Sequence, residues 1–131
     1  MKTILVDAVY TAIIENESGD FVKFDEMFEL LDKYENHKIL LTNADDDGII
    51  QYGLDKVPYP VFTLKHNPNK ENPVYFETLL TEYGLEPEDA IYFEHNPEAI
   101  ESAESVGITC YLYDSEAKDL DALQSFLDEN L

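Results

Sequence analysis

Arginine is absent from this 131-residue sequence, and its eight basic residues, all lysines, are outnumbered by 29 acidic ones. The formal charge of -21 repels nucleic acid and anionic membrane surfaces, which excludes both as expected partners. Arginine is also the side chain best suited to bidentate phosphate recognition. An anionic ligand therefore needs a lysine or a bound cation at its site, whereas most of the carboxylates are expected to serve solubility.

Cysteine is nearly absent as well, because Cys110 is the single one and lies in an apolar run. One thiol excludes an internal disulfide framework and a thiolate zinc site, so any metal should be held by oxygen or histidine. The sequence also lacks an apolar run of about 18 residues and a secretory leader pattern. These absences predict a cytoplasmic protein that is neither exported nor inserted in a membrane.

Five short apolar runs alternate with helical patterns along the chain. The runs show no polar alternation, which is typical of strands covered on both faces. They are residues 3–6, 39–41, 61–64, 90–93 and 109–113. Helical spacing relates Met27 to Tyr34, Phe76 to Tyr83, Ile100 to Ala103, and Leu120 to Leu127. The alternation predicts one α/β domain over residues 1–131, a doubly wound parallel five-stranded sheet with right-handed crossovers.

Local residue choices agree with these elements. Asn72-Pro73 and Asn96-Pro97 each predict a capped helix start, and Gly84 lies where a helix should end. Residues 12–24 break the alternation and resemble two short strands around a turn at 16–19, which predicts a hairpin flap over the end of the first strand. No segment is long enough to form a cap domain.

Polar residues follow the predicted strands at the edge where an open α/β sheet binds ligands. They are Asp7 after the first strand, Thr42 and Asn43 after the second, Lys70 in the loop after the third, and Glu94, His95 and Asn96 after the fourth. Each has an ordinary alternative, such as a strand ending at the surface for Asp7 or a solvated loop charge for Lys70. Together they predict one site.

The set resembles the four spaced motifs of the haloacid dehalogenase-like (HAD) superfamily over nearly the whole chain. Asp7 and Thr11 in DAVYT resemble the first motif, Asp-x-Asp-x-Thr, and Thr42 resembles the second. Lys70 in KENPVYF resembles the third, a lysine before Pro-x-x-Phe. FEHNPEAIESAESVG resembles the fourth, an acidic pair followed by an N-x-x-x-A-x-x-x-G helix. The resemblance implies a Rossmann-like HAD core without a cap.

What the resemblance implies chemically is a hydrolase, most specifically a phosphatase that acts through the Asp7 carboxylate as covalent nucleophile. Thr42 would bind a transferring phosphoryl oxygen and Lys70 would neutralise charge on Asp7. Thr11 and Asn43 are expected to help bind the substrate.

A metal is the second implication of the resemblance. Mg²⁺, with Mn²⁺ as the alternative, would lie between Asp7, the main-chain carbonyl of Val9 and Glu94. The implied ligand is a phosphorylated small molecule or macromolecule. An oligomer or a complex with a protein partner is compatible with the sequence.

Two positions depart from the family pattern. Val9 replaces the second aspartate of the first motif and cannot protonate a leaving oxygen, a contribution typically worth about 10²–10⁴ in rate. His95 replaces the second acid of the fourth motif, and it either supplies the missing acid or caps a loop. Dehalogenases and phosphonate-cleaving members also lack the second aspartate, but a sizeable helical cap covers their sites.

Two other functions compete with a hydrolase. A non-catalytic HAD-like module would bind a metal, a phosphorylated ligand or a protein; Val9 and His95 favour it. A receiver domain has a similar length and alternation, but its phosphorylated aspartate ends the third strand, where this chain has Leu64.

Overall fold

A five-stranded parallel sheet forms the centre of the computed structural model, which describes all 131 residues. The strands of the chain are β1 (Thr3–Asp7), β2 (Ile13–Glu15), β3 (Phe21–Lys23), β4 (Lys38–Leu41), β5 (Val61–Phe62), β6 (Ala90–Glu94) and β7 (Thr109–Leu112). The helices are α1 (Asp25–Leu31), α2 (Asp46–Gln51), α3 (Val74–Tyr83), α4 (Pro97–Ser105) and α5 (Leu120–Asn130), with 3-10 turns at Leu54–Lys56 and Pro87–Asp89. None of the helices combines the length and the hydrophobicity needed to cross a bilayer.

The strand order β5-β4-β1-β6-β7 confirms the predicted doubly wound sheet. From β1 the chain moves outward through β4 and β5, then returns to pair β6 with the other edge of β1. Ligands bind such sheets where the direction of winding changes, at the carboxyl ends of the strands. That point lies between β1 and β6, whose last residues are Asp7 and Glu94.

Each face of the sheet has its own hydrophobic core. Ile4 and Val6 point to the core shared with α1 and α5, whereas Leu5 points to the core shared with α3 and α4. All five residues of β1 are buried, and so are all five of β6. Double coverage explains why the strands appear in the sequence as continuous apolar runs.

The predicted flap is confirmed as the antiparallel pair β2–β3. Its turn is closed by Asn16, whose side-chain oxygen accepts hydrogen bonds from the main-chain N–H groups of Ser18 (3.0 Å) and Asp20 (2.9 Å). Gly19 has a φ of 82°, a conformation that glycine adopts without steric penalty. On the flap, Phe21 packs edge-on against Tyr52 with 4.7 Å between ring centroids.

Two predicted elements end two or three residues earlier than expected. The strand predicted over 61–64 stops at Phe62, because Thr63 turns the chain by donating a hydrogen bond to the carbonyl of Ala44 at 2.6 Å. The helix predicted to reach Tyr34 stops at Leu31. The hydroxyl of Tyr34 instead donates a 2.6 Å hydrogen bond to Asp128 of α5.

We expect Tyr75→Phe to lower the free energy of unfolding by about 1–2 kcal/mol, because the buried tyrosine hydroxyl lies 2.9 Å from the carbonyl of Thr42 and 3.0 Å from that of Phe62. Urea denaturation measures the loss. Tyr83→Phe is the matched control at the exposed end of the same helix and should change stability by less than about 0.5 kcal/mol. Equal effects of the two substitutions would mean that the hydrogen bonds of the Tyr75 hydroxyl do not stabilise the fold.

Candidate active site

A cavity of approximately 230 Å³ opens at the carboxyl edge of the sheet, beside the ends of β1 and β6. The predicted site residues that line it are Asp7, Val9, Thr42, Asn43, Lys70, Glu94 and His95. These residues come from four separate segments of the chain, and the fold brings their side chains to one cavity. Thr11 is the one predicted site residue that lies outside the cavity wall.

Lys70 joins the two acidic residues at the floor of the cavity. Its Nζ lies 2.7 Å from Oδ1 of Asp7 and 2.7 Å from Oε1 of Glu94. All three side chains are buried. Asn43 holds the lysine loop in place, since its Oδ1 accepts a 2.8 Å hydrogen bond from the main-chain N–H of Lys70. The oxygen of Asn43 is therefore already engaged by the protein.

The other oxygen of each carboxylate faces His95. Nδ1 of His95 contacts Oδ2 of Asp7 and lies 3.2 Å from Oε2 of Glu94. Oε2 of Glu94 also accepts hydrogen bonds from the main-chain N–H groups of His95 (3.0 Å) and Asn96 (3.1 Å). Each carboxylate thus has an inner oxygen on Lys70 and an outer oxygen towards His95.

Thr11, which is predicted to help bind the substrate, lies beside Asp7 and outside the cavity wall. It is fully buried, and its hydroxyl donates a 2.6 Å hydrogen bond to Oδ2 of Asp7. The chain turns back after Val9, so that Thr11 lies against the carboxylate and not on the cavity wall. Its place in the site is to orient Asp7.

Burial and charge pull the pKa values of the cluster in different directions. Burial alone would raise the pKa of Asp7, but the Lys70 ammonium and a hydrogen bond to His95 hold that pKa well below its usual range. Burial and the neighbouring Asp7 charge raise the pKa of Glu94. Burial disfavours the Lys70 charge, yet the two carboxylates keep the pKa of Lys70 above its usual value. Hydrogen bonds to Asp7 and Glu94 raise the pKa of His95 to about 10. Asp7 is therefore held as a carboxylate beside the Lys70 ammonium.

Thr42 presents a hydroxyl group to the cavity. Its side chain is buried, and its Oγ1 accepts a 3.2 Å hydrogen bond from the main-chain N–H of Ala44. No protein group accepts its proton, which leaves the hydroxyl able to donate to a ligand. Thr42 is not a helix cap, because Asp45 caps α2 by accepting from Gly48 at 2.9 Å.

Three aromatic or imidazole side chains on the cavity wall were not predicted: Tyr10, Tyr52 and His66. Tyr10 and His66 have φ angles of 69° and 67°, which non-glycine residues seldom adopt. The ring of Tyr10 lies edge-on to that of His95, with 6.1 Å between centroids. No periodicity or motif marks these residues, because loop conformation brings them to the cavity.

Neither a protein-family model nor a curated protein matches the sequence. Among solved structures, a D,D-heptose 1,7-bisphosphate phosphatase from B. bronchiseptica complexed with magnesium and phosphate superposes over 100% of both chains, with a TM-score of 0.75 and 13% identity. The chain has the HAD-like fold.

Two further structures with this fold support the assignment. A HAD-superfamily hydrolase of subfamily IA from Geobacter sulfurreducens is 14% identical, with 92% of this chain and 99% of that one covered and a TM-score of 0.63. A HAD-family enzyme from Bacteroides thetaiotaomicron, an aspartate-to-alanine mutant complexed with magnesium and inorganic phosphate, is 11% identical, with 85% and 93% covered and a TM-score of 0.60. The predicted Rossmann-like HAD core is confirmed, and its structural neighbours include a hydrolase and a phosphatase.

Removing the buried lysine tests the charge cluster. We expect Lys70→Met to lower the free energy of unfolding by about 3–5 kcal/mol, because it leaves two buried carboxyl groups without their cation. Lys65→Met is the control, since Lys65 forms an exposed ion pair with Asp46 at 3.0 Å and should contribute at most about 1 kcal/mol. Chemical denaturation of both variants measures the difference, and equal losses would contradict the central place of Lys70.

Proposed function

We propose that the protein is a phosphatase of the HAD type in which Asp7 is the nucleophile and a divalent cation assists. The observation that supports this most is the convergence of Asp7, Lys70, Glu94 and Thr42 on one cavity at the switch point of the sheet. A nucleophilic carboxylate must be ionised and held in place. The low pKa of Asp7 and its contacts with Lys70 and Thr11 meet both requirements.

The proposed reaction has two steps. The Asp7 carboxylate attacks phosphorus, so that a bond forms between its oxygen and phosphorus while the bond to the leaving oxygen breaks. Water then hydrolyses the aspartyl phosphate, which releases phosphate and restores the carboxylate. Thr42 donates a hydrogen bond to a phosphoryl oxygen, and Lys70 offsets negative charge beside the nucleophile.

The donor set fits a divalent cation. One donor atom from each of Asp7, Glu94 and His95 lies within 4.8 Å of the other two. The main-chain carbonyl of Val9 accepts no hydrogen bond from the protein and is a further oxygen beside the cavity. A divalent cation held there would offset charge on the phosphoryl group.

The substrate is proposed from the shape and the chemistry of the cavity. The flap is a short hairpin and no cap encloses the site, so a phosphate group on either a small molecule or a macromolecule has access. Val9 provides no proton for the leaving oxygen. Phosphate esters with good leaving groups are therefore the favoured substrates.

A non-catalytic phosphate-binding module is the second candidate, and two observations favour it. Val9 places an apolar side chain where an acid would assist departure of the leaving group. His95 contacts both outer oxygens, which limits the access of a phosphate to Asp7.

Hydrolysis assays test the proposal. Against aryl phosphates and a set of phosphorylated metabolites, with Mg²⁺ and with Mn²⁺, we expect Asp7→Asn to lower kcat/KM by more than about 10³-fold, because it removes the nucleophile. His37→Gln is the control at the opposite end of the sheet. Phosphate binding without any turnover would support the binding module, and an active Asp7→Asn variant would exclude Asp7 as nucleophile.

Val9→Asp tests whether an acid is the missing catalytic part. We expect little gain for an activated aryl phosphate and a gain towards about 10²–10⁴-fold for an alkyl phosphate, because an alkoxide needs a proton to leave. Val9→Asn is the matched control, of similar size but without a transferable proton.

The gain should disappear when Val9→Asp is combined with Asp7→Asn, because the new acid then has no reaction to assist. A folded Val9→Asp protein that binds metal and hydrolyses neither substrate would instead favour the binding module.

A further inference from the structure

His95 places an imidazole nitrogen between the two outer carboxylate oxygens. Nδ1 contacts Oδ2 of Asp7 and is 3.2 Å from Oε2 of Glu94. Around an ion with bonds of about 2.1 Å, adjacent ligands of an octahedron lie about 3 Å apart and opposite ones about 4.2 Å. One donor atom from each of Asp7, Glu94 and His95 lies within 4.8 Å of the other two, so small side-chain movements would bring all three onto one ion.

The surroundings orient each of the three atoms. The inner oxygens of Asp7 and Glu94 are both engaged by Lys70, so each carboxylate offers one remaining oxygen. Main-chain N–H groups of His95 and Asn96 fix Oε2 of Glu94. The ring of Tyr10 lies edge-on to the His95 ring, whose side chain is 29% exposed towards solvent. One face of the triangle is therefore held by protein while the other faces the cavity.

We infer that the cation selected by this site is a first-row transition metal such as Mn²⁺ or Zn²⁺, and not Mg²⁺. Mg²⁺ takes oxygen ligands and retains its waters, whereas neutral imidazole is a good ligand for transition metals, and the metal would displace the proton that Nδ1 of His95 shares with Asp7. The inference rests on the proposed function, because it names the metal of the same site.

The acidic surface makes a comparison between metals necessary. With a formal charge of -21, the protein concentrates every divalent cation near its surface, so binding of one metal alone carries little information. Such screening depends on ionic charge and is nearly the same for Mg²⁺, Ca²⁺ and Mn²⁺. A nitrogen ligand changes the ratio of the affinities for Mn²⁺ and Mg²⁺. That ratio is the quantity to measure.

The experiment uses the full chain after treatment with a chelator. Calorimetry and thermal unfolding with Mg²⁺, Ca²⁺ and Mn²⁺ at one pH should give a Kd for Mn²⁺ on the order of tenfold or more below that for Mg²⁺. His95→Asp supplies an oxygen in place of nitrogen and should remove most of this preference. His37→Gln is the matched control, because it removes a histidine at the opposite end of the sheet and should leave the preference unchanged.

A second measurement keeps the inference testable if His95→Asp does not fold. In the unaltered protein labelled with ¹⁵N-histidine, Zn²⁺ should shift the Nδ1 resonance of His95 and leave that of His37 in place. Mg²⁺ affinity equal to or above that of Mn²⁺, an unchanged preference in His95→Asp, or Zn²⁺ binding without a His95 shift would each overturn the inference.

These readouts are independent of turnover. A protein that binds Mn²⁺ through His95 and hydrolyses no phosphate ester contradicts the proposed phosphatase and supports the metal assignment. A phosphatase that prefers Mg²⁺ supports the proposed phosphatase and contradicts the metal assignment.

Discussion

The Lys70 ammonium between Asp7 and Glu94 is the interaction on which the site depends. Two carboxylates buried at the ends of neighbouring strands repel each other, and each loses solvation worth several kcal/mol. A single cation in contact with both carboxylates offsets their repulsion and their loss of solvation. The side-chain oxygen of Asn43 binds the main-chain N–H of Lys70 and so holds the lysine loop. The buried hydroxyl of Tyr75 binds the carbonyl of Thr42 at the end of β4. Both contacts keep the Lys70 ammonium in position.

The sheet and most of the site could be predicted because both depend on local sequence features. Strands covered on both faces must be apolar throughout, and Asp7, Thr42 and Glu94 follow such strands directly. Loop contacts could not be predicted in the same way. Tyr10 and His66 reach the cavity through left-handed backbone conformations, which tertiary packing fixes and no residue pattern marks. Thr11 is predicted to help bind the substrate, whereas the path of the chain after Val9 places its hydroxyl against Asp7.

The fold and the chemistry of the site carry different information about function. Structural neighbours of 11–14% identity establish the HAD-like architecture, which hosts hydrolases and phosphatases. The reaction depends on individual side chains, and here Val9 and His95 set this chain apart. Val9 has no proton to donate, and His95 places an imidazole nitrogen beside two carboxylates. Both residues line the same cavity.

The Lys70 ammonium at the floor of the cavity lies within a strongly acidic exterior. Exposed charges farther apart than a Debye length, about 8 Å at physiological ionic strength, are screened by salt, whereas buried pairs such as Lys70 with Glu94 are screened much less. An anionic ligand is therefore repelled at long range and attracted only after it has entered. Added salt weakens the long-range repulsion more than the attraction inside the cavity. Capture of an anion by this protein should therefore become faster as the salt concentration rises, whereas association with electrostatically steered enzymes becomes slower.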